Sequence, residues 1–169
     1  MKKLYNLITF AFVILLCPFN LLAQATATAN SSATIITPIT ITKTVDLNFG
    51  NVAVSSAPGN VAISVAGTRT PTGGVTLPST TGSPSAATFT VTGEPSYTYA
   101  ITLPSGPVTI ANGNNTMTVT SFVSSPSSVG TLTSGTQTLV VASTLNVNAG
   151  QAAGTYMSPS PFSVTVNYN

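Results

Sequence analysis

The chain has 169 residues with only four Lys or Arg, two Asp or Glu and no His. That inventory excludes a phosphate-neutralising nucleic-acid surface. It also leaves general acid–base catalysis, nucleophilic catalysis and transition-metal ligation without their usual side chains, so neither an enzyme nor a cofactor or metal protein is expected.

Lys2 and Lys3 precede an apolar run over residues 7–17, and Ala23-Gln24-Ala25 has the small-x-small form of a signal-peptidase site. Residues 1–25 therefore read as a signal-peptide helix, with cleavage after Ala23 or after Ala25, and the apolar run within them is too short and wrongly flanked for a membrane span. Cys17 does not make a lipobox, because Leu16 stands where a small residue is needed and Pro18 follows. Cleavage removes the only cysteine and both N-terminal lysines. The processed chain then has Lys43, Arg69, Asp46 and Glu94 as its charged residues, no disulfide, and little charge to keep copies apart. Export through the inner membrane, passage through the periplasm, and a final place at the cell surface or outside are expected.

The remainder suits one domain rich in Thr, Ser, Val, Ala and Gly, with no helical periodicity. Over residues 25–49 a single period-2 register places Ala25, Ala27, Ala29, Ala33, Ile35, Ile39, Ile41, Val45, Leu47 and Phe49 on one side. That stretch is too long for one strand, and Pro38 divides it. Residues 26–38 become an N-terminal limb and a candidate donor strand, and residues 39–169 a β-sandwich domain whose first strand starts at Ile39.

A strand over residues 61–65 follows, then a polar loop over residues 67–86 and a strand over residues 87–91 with Phe89 and Val91 inward. Residues 93–96 turn the chain. Tyr97, Tyr99, Ile101 and Leu103 alternate, with the two tyrosines read as core and edge packing. Residues 112–115 form another turn before Met117 and Val119, and Leu139, Val141, Leu145 and Val147 form a row around Ser143. In the closing stretch Phe162, Val164, Val166 and Tyr168 share one face and Ser163, Thr165, Asn167 and Asn169 the other. That apolar row either closes the chain's own core or receives another chain. Strands spaced in this way predict an all-β, antiparallel sandwich. There is no fixed-period repeat of the kind an ice-binding array needs, and no aromatic girdles of the kind an outer-membrane barrel needs.

Three stretches carry a resemblance: Ile39-Thr40-Ile41 through Asp46-Leu47-Asn48-Phe49-Gly50; Gly73-Gly74 leading to Ala87-Thr88-Phe89-Thr90-Val91-Thr92-Gly93; and Gly154-Thr155-Tyr156 with Val164-Thr165-Val166-Asn167-Tyr168. Together they resemble the secreted bacterial family catalogued as domain of unknown function 4402. They are more distantly similar to spore-coat-U-type and chaperone–usher pilin subunits.

The resemblance implies an immunoglobulin-like, pilin-like sandwich lacking its last strand. It implies a groove bordered by Phe162, Val164, Val166 and Tyr168, and a donor limb gripping through Ala33, Ile35 and Ile39. It further implies a periplasmic chaperone, an outer-membrane usher and copies of the chain or related subunits as partners, by strand addition at an exposed edge. The processed chain departs from such pilins in lacking a disulfide, and its limb is poor in large side chains. The expected function is a structural subunit of a surface filament or coat; the alternative is a monomeric cell-surface adhesive or carbohydrate-binding module.

Overall fold

The computed structural model describes residues 24–169. The expected signal peptide up to Ala23, with Cys17, lies outside the described residues. The described residues fall into two units, 24–34 and 35–169. In the first, residues 24–34 carry no strand or helix.

The second unit is all-β and entirely antiparallel. Its strands are β1 (Thr40–Val45), β2 (Ala53–Ile63), β3 (Arg69–Thr76), β4 (Ala87–Thr92), β5 (Thr98–Thr102), β6 (Val108–Asn112), β7 (Asn115–Ser125), β8 (Val129–Thr131), β9 (Thr136–Val147) and β10 (Thr165–Tyr168). Seven of them form one sheet, and β10, β5 and β8, in that order, form a small second one. The two sheets make a sandwich-like arrangement.

The organising strand is β9. One of its edges carries β7, while the other carries β4 along residues 136–141 and then β2 along residues 143–147. Ser143, 2 % exposed, sits at the handover. Opposite it, β7 goes from Thr120, paired with Thr144, to Val123, paired with Ala142, so one extra residue is accommodated. Ser121 takes a left-handed φ of 54° at this bulge. A bulge bends its strand and raises the local twist, and the apolar side chains before and after this point of β9 gather in two separate clusters, each forming one apolar face of the core.

One face gathers Phe49, Val61, Ile63, Val75, Met117, Val119, Leu145 and Val147. The other gathers Ala87, Val91, Leu139 and Val141 beneath Tyr99, Leu132 and Val166. Only the second lies under the small sheet. The first is roofed by the irregular segments before β2 and before β10. Arg69 pins one of them, its Nη1 donating to Phe49 O and to Asn51 O, both at 2.8 Å.

The expected alternation over residues 139–147 is present, with Leu139, Val141, Ser143, Leu145 and Val147 all buried. The hairpin at Gly113-Asn114 turns between Asn112 and Asn115, with Gly113 at φ 58°. The polar loop expected over residues 67–86 is a correction, because β3 occupies its first half. The segment Arg-Thr-Pro-Thr-Gly-Gly-Val-Thr lacks apolar alternation. It becomes a strand because β2 offers it a ladder running from Ile63↔Arg69 to Gly59↔Gly73. At the close crossing there, a Cβ on Gly73 would lie 2.6 Å from Pro58 O and one on Gly74 2.1 Å from Ala57 O, which is why this edge strand carries glycines.

Candidate functional site

The closing strand is shorter than the sequence suggests, but its alternation extends beyond it. Phe162, Val164 and Tyr168 are half-buried, Val166 is 8 % exposed, and the four residues between or after them are exposed. All four apolar side chains pack on the cluster beneath the small sheet. The inward row is thus committed to the chain's own core.

The main chain of β10 is another matter. It lies at the end of its sheet and pairs only with β5, Thr165↔Thr102 through Tyr168↔Tyr99. Asn169 N donates to Thr98 O at 3.3 Å. In an antiparallel pair hydrogen-bonded positions alternate with non-bonded ones, so Asn167 and Thr165 also face β5 with their polar groups. The N–H and C=O of Val166 and Tyr168 therefore turn away from it. On the other side of the pair, Ile101 N reaches Ser128 O at 2.7 Å, as this register requires. The outer edge of β10 is a row of main-chain donors and acceptors with no strand hydrogen-bonded to it among the described residues.

Alongside that edge runs the seam between the two sheets, bounded by β1. At the end where β10 begins, a hollow of about 140 Å³ is lined by Lys43, Asp46, Leu47, Ala87, Phe89, Pro161 and Phe162. Asp46, Leu47, Pro161 and Phe162 also border a larger cleft of about 990 Å³ that runs over the first apolar face to Met117, Val119, Leu145 and Tyr156. Phe162 stands between the two, its ring 5.1 Å from that of Phe122. The hollow and the cleft thus share Asp46, Leu47, Pro161 and Phe162 as a common wall.

The opposite end of the seam is closed. The Tyr168 hydroxyl donates to Thr37 O at 2.7 Å and accepts from Glu94 N at 2.6 Å, and its ring meets Tyr97 edge-on at 5.7 Å. Thr37 N in turn donates to Glu94 Oε2 at 2.9 Å. Gly93 makes this possible, since a Cβ there would fall 2.3 Å from the Tyr168 hydroxyl. Tyr168 and Gly93 were singled out by sequence; their contact, and the part played by Thr37 and Glu94, were not. The only signal for it was the presence of both in one motif set.

The Thr37 N–H holds the Glu94 carboxyl below its ordinary value. Because the folded value is depressed, the ordering that Glu94 supplies is present above the unfolded carboxylate range and is lost as pH falls through the folded value. Amide exchange at Thr37 is expected to lose protection on acidification into and below the carboxylate range. In Glu94→Gln that acid step should be absent; an identical step in both proteins would remove Glu94 as its cause.

The candidate donor residues lie differently from one another. Ile39 is half-buried against its own core. Ile35 is 95 % exposed while its neighbour Ile36 is half-buried, so the period-2 register shifts across Pro38 and Ile35 is presented outward. Ala33 is exposed and belongs to no strand. The two carboxylates are kept apart: Asp46 lies at the hollow and Glu94 beyond the far end of β4, about 17 Å of strand away. Among the described residues no group of three or more His, Cys, Asp or Glu is gathered for a metal ion, and no helix is long and apolar enough to cross a membrane.

No match to this chain was found among curated proteins or solved structures. A family model does match, over residues 39–168, which takes in every strand from β1 to β10 together with Gly93 and Tyr168, and the chain belongs to the family described as Domain of unknown function (DUF4402).

Proposed function

We propose that the protein is an exported, non-catalytic structural subunit with an immunoglobulin-like, pilin-like sandwich. It assembles into a surface filament or coat when one copy's N-terminal limb, residues 26–38, adds as a strand along the outer edge of the next copy's β10. The observation that carries this reading is the main chain of Val166 and Tyr168, unpaired on its outer side, on a strand whose leading segment borders a small hollow at Phe162. Exposed edges of this kind are normally covered or blunted, and here neither a charged side chain nor a proline of β10 guards it: the strand is Thr-Val-Asn-Tyr.

The limb suits the seam better than it suits the large cleft. Its alternate residues Ala27, Ala29 and Ala33 are small, and Ile35 is its one large apolar side chain facing outward. The limb's own subunit is poorly placed to take Ile35 into the hollow. Thr37 is held at the Tyr168 end, and the hollow lies at the other end of β1, about 17–20 Å away at roughly 3.3 Å per residue. Two residues of chain span about 7 Å. Exchange between copies satisfies both ends. Before assembly a periplasmic chaperone would occupy the same edge, and an usher would exchange it for the limb.

Electrophoresis of the processed protein with and without boiling tests the reading. A ladder of oligomers that collapses to monomer on heating is expected. A single monomer band under every condition would overturn it and leave the monomeric adhesive or carbohydrate-binding module, with the larger cleft as the place to look for its ligand.

A further inference from the structure

We propose that the Tyr168 phenol couples occupancy of the β10 edge to the ordering of the chain's own limb, so that a subunit which has received a strand becomes a better donor of one. The inference deepens the reading above and rests on it, since it takes the open edge as the place where a strand adds.

Three features of the seam support the coupling. First, Tyr168 belongs to both sites at once: its main chain faces the open edge, while its hydroxyl holds Thr37 O at 2.7 Å. Second, the contact is a closed triangle. Glu94 N donates to the same hydroxyl at 2.6 Å, and the Glu94 carboxylate takes the Thr37 N–H at 2.9 Å, so both main-chain polar groups of Thr37 are held. Among the described residues both cations are engaged elsewhere, Lys43 with Asp46 and Arg69 with Phe49 O and Asn51 O, while Tyr97 packs edge-on against the ring of Tyr168. Third, Gly93 leaves the space that the hydroxyl fills.

The strand that carries Tyr168 has four residues and is paired on one side only. Such terminal strands open more readily than central ones. Pairing its second edge lowers the population of open forms, and whatever is bonded to its last side chain shares that ordering. Thr37 is the root from which Ile35 and the rest of the limb depart. Fixing it in advance reduces the entropy lost when the limb is later donated. Linkage makes the effect reciprocal: a limb already held in a neighbour keeps Thr37 in place and thereby favours strand addition at Tyr168.

The test follows backbone amide exchange in the monomeric fraction of the full protein while a synthetic peptide of residues 26–38 is titrated in. Exchange at Val166 and Tyr168 is expected to slow as the peptide adds, and exchange at Thr37 to slow in step by about two- to tenfold, the range of one ordinary hydrogen bond. In Tyr168→Phe the peptide should still protect Val166 while Thr37 no longer responds. Gly93→Ala, which pushes on the hydroxyl and leaves the tyrosine in place, should behave in the same way. Protection at Val166 with no change at Thr37 in the unaltered protein overturns the coupling and leaves strand addition standing. An equal response at Thr37 in Tyr168→Phe also overturns it. No protection at Val166 removes strand addition, and the coupling falls with it.

Discussion

Ile35→Asp is expected to abolish the heat-sensitive ladder while leaving the melting temperature of the monomer unchanged. The side chain is 95 % exposed in its own subunit, and exposed substitutions of this kind usually alter stability by less than about 0.5 kcal/mol. Within a neighbour's seam the same position would meet Leu47, Phe89 and Phe162. Burying an isoleucine contributes about 1.5–3 kcal/mol, and a carboxylate in its place adds a desolvation cost, while Lys43, the one cation lining the hollow, is already paired with Asp46, whose carboxylate repels a second one. With alanines as the other inward residues of the limb, nothing else in it can replace that grip. An unchanged ladder would show that the limb is not the donor. A monomer that melts several degrees lower would show that Ile35 packs in its own domain.

Tyr99→Ala should remove a large part of the fold's stability, about 3–5 kcal/mol on the scale of large-to-small changes in a core, against a total of about 5–15 kcal/mol for ordinary domains. Tyr99 has no exposed surface and lies in β5, the middle strand of the small sheet. Its hydroxyl donates to Gln137 Oε1 at 2.8 Å, and the same oxygen accepts Thr131 N at 2.8 Å, so the residue ties β5, β8 and β9 together. A Cβ on Gly130 would fall 2.3 Å from the Tyr99 ring, which shows how closely β8 crosses it.

Burial pushes the Tyr99 phenol up, keeping it a donor. Because the folded value is raised, that contribution is complete below the unfolded phenol value and is lost as pH rises through the folded one. Tyr99→Phe, which keeps the ring and drops the hydroxyl, should cost only about 0.5–1.5 kcal/mol. Urea midpoints for the two variants measure the difference. Equal losses would place the stabilisation in the hydroxyl, and no loss in Tyr99→Ala would mean that the small sheet does not hold the second apolar face.

The two predictions bear on different parts of the molecule. Tyr99 anchors the small sheet from within, whereas Ile35 takes no part in its own core. Tyr99→Ala should destabilise the subunit and, with it, the receiving edge; Ile35→Asp should leave a folded subunit that cannot donate. Monomer stability and ladder formation, measured together, separate a folding defect from an assembly defect.

What the residues determined by themselves was local. The alternation of Phe162, Val164, Val166 and Tyr168, the row from Leu139 to Val147 and the turn at Gly113-Asn114 could all be read directly, because a pleated strand sends successive side chains to opposite faces wherever it lies. Gly93 and Tyr168 could be marked as part of a motif but not assigned to each other.

Tertiary structure decided whatever depended on a distant partner. β3 is a strand because β2 offers it hydrogen bonds that its own Thr, Pro and Gly residues do not advertise. β9 changes neighbours at Ser143 opposite a bulge that no periodicity reveals. Ile36 rather than Ile35 turns inward. The bond from Tyr168 to Thr37 joins residues 131 apart in the chain. Side-chain alternation follows from the pleat of a single strand, but which edge is paired and which is left open follows from hydrogen bonds between strands remote in sequence, and that pairing exists only in the assembled fold.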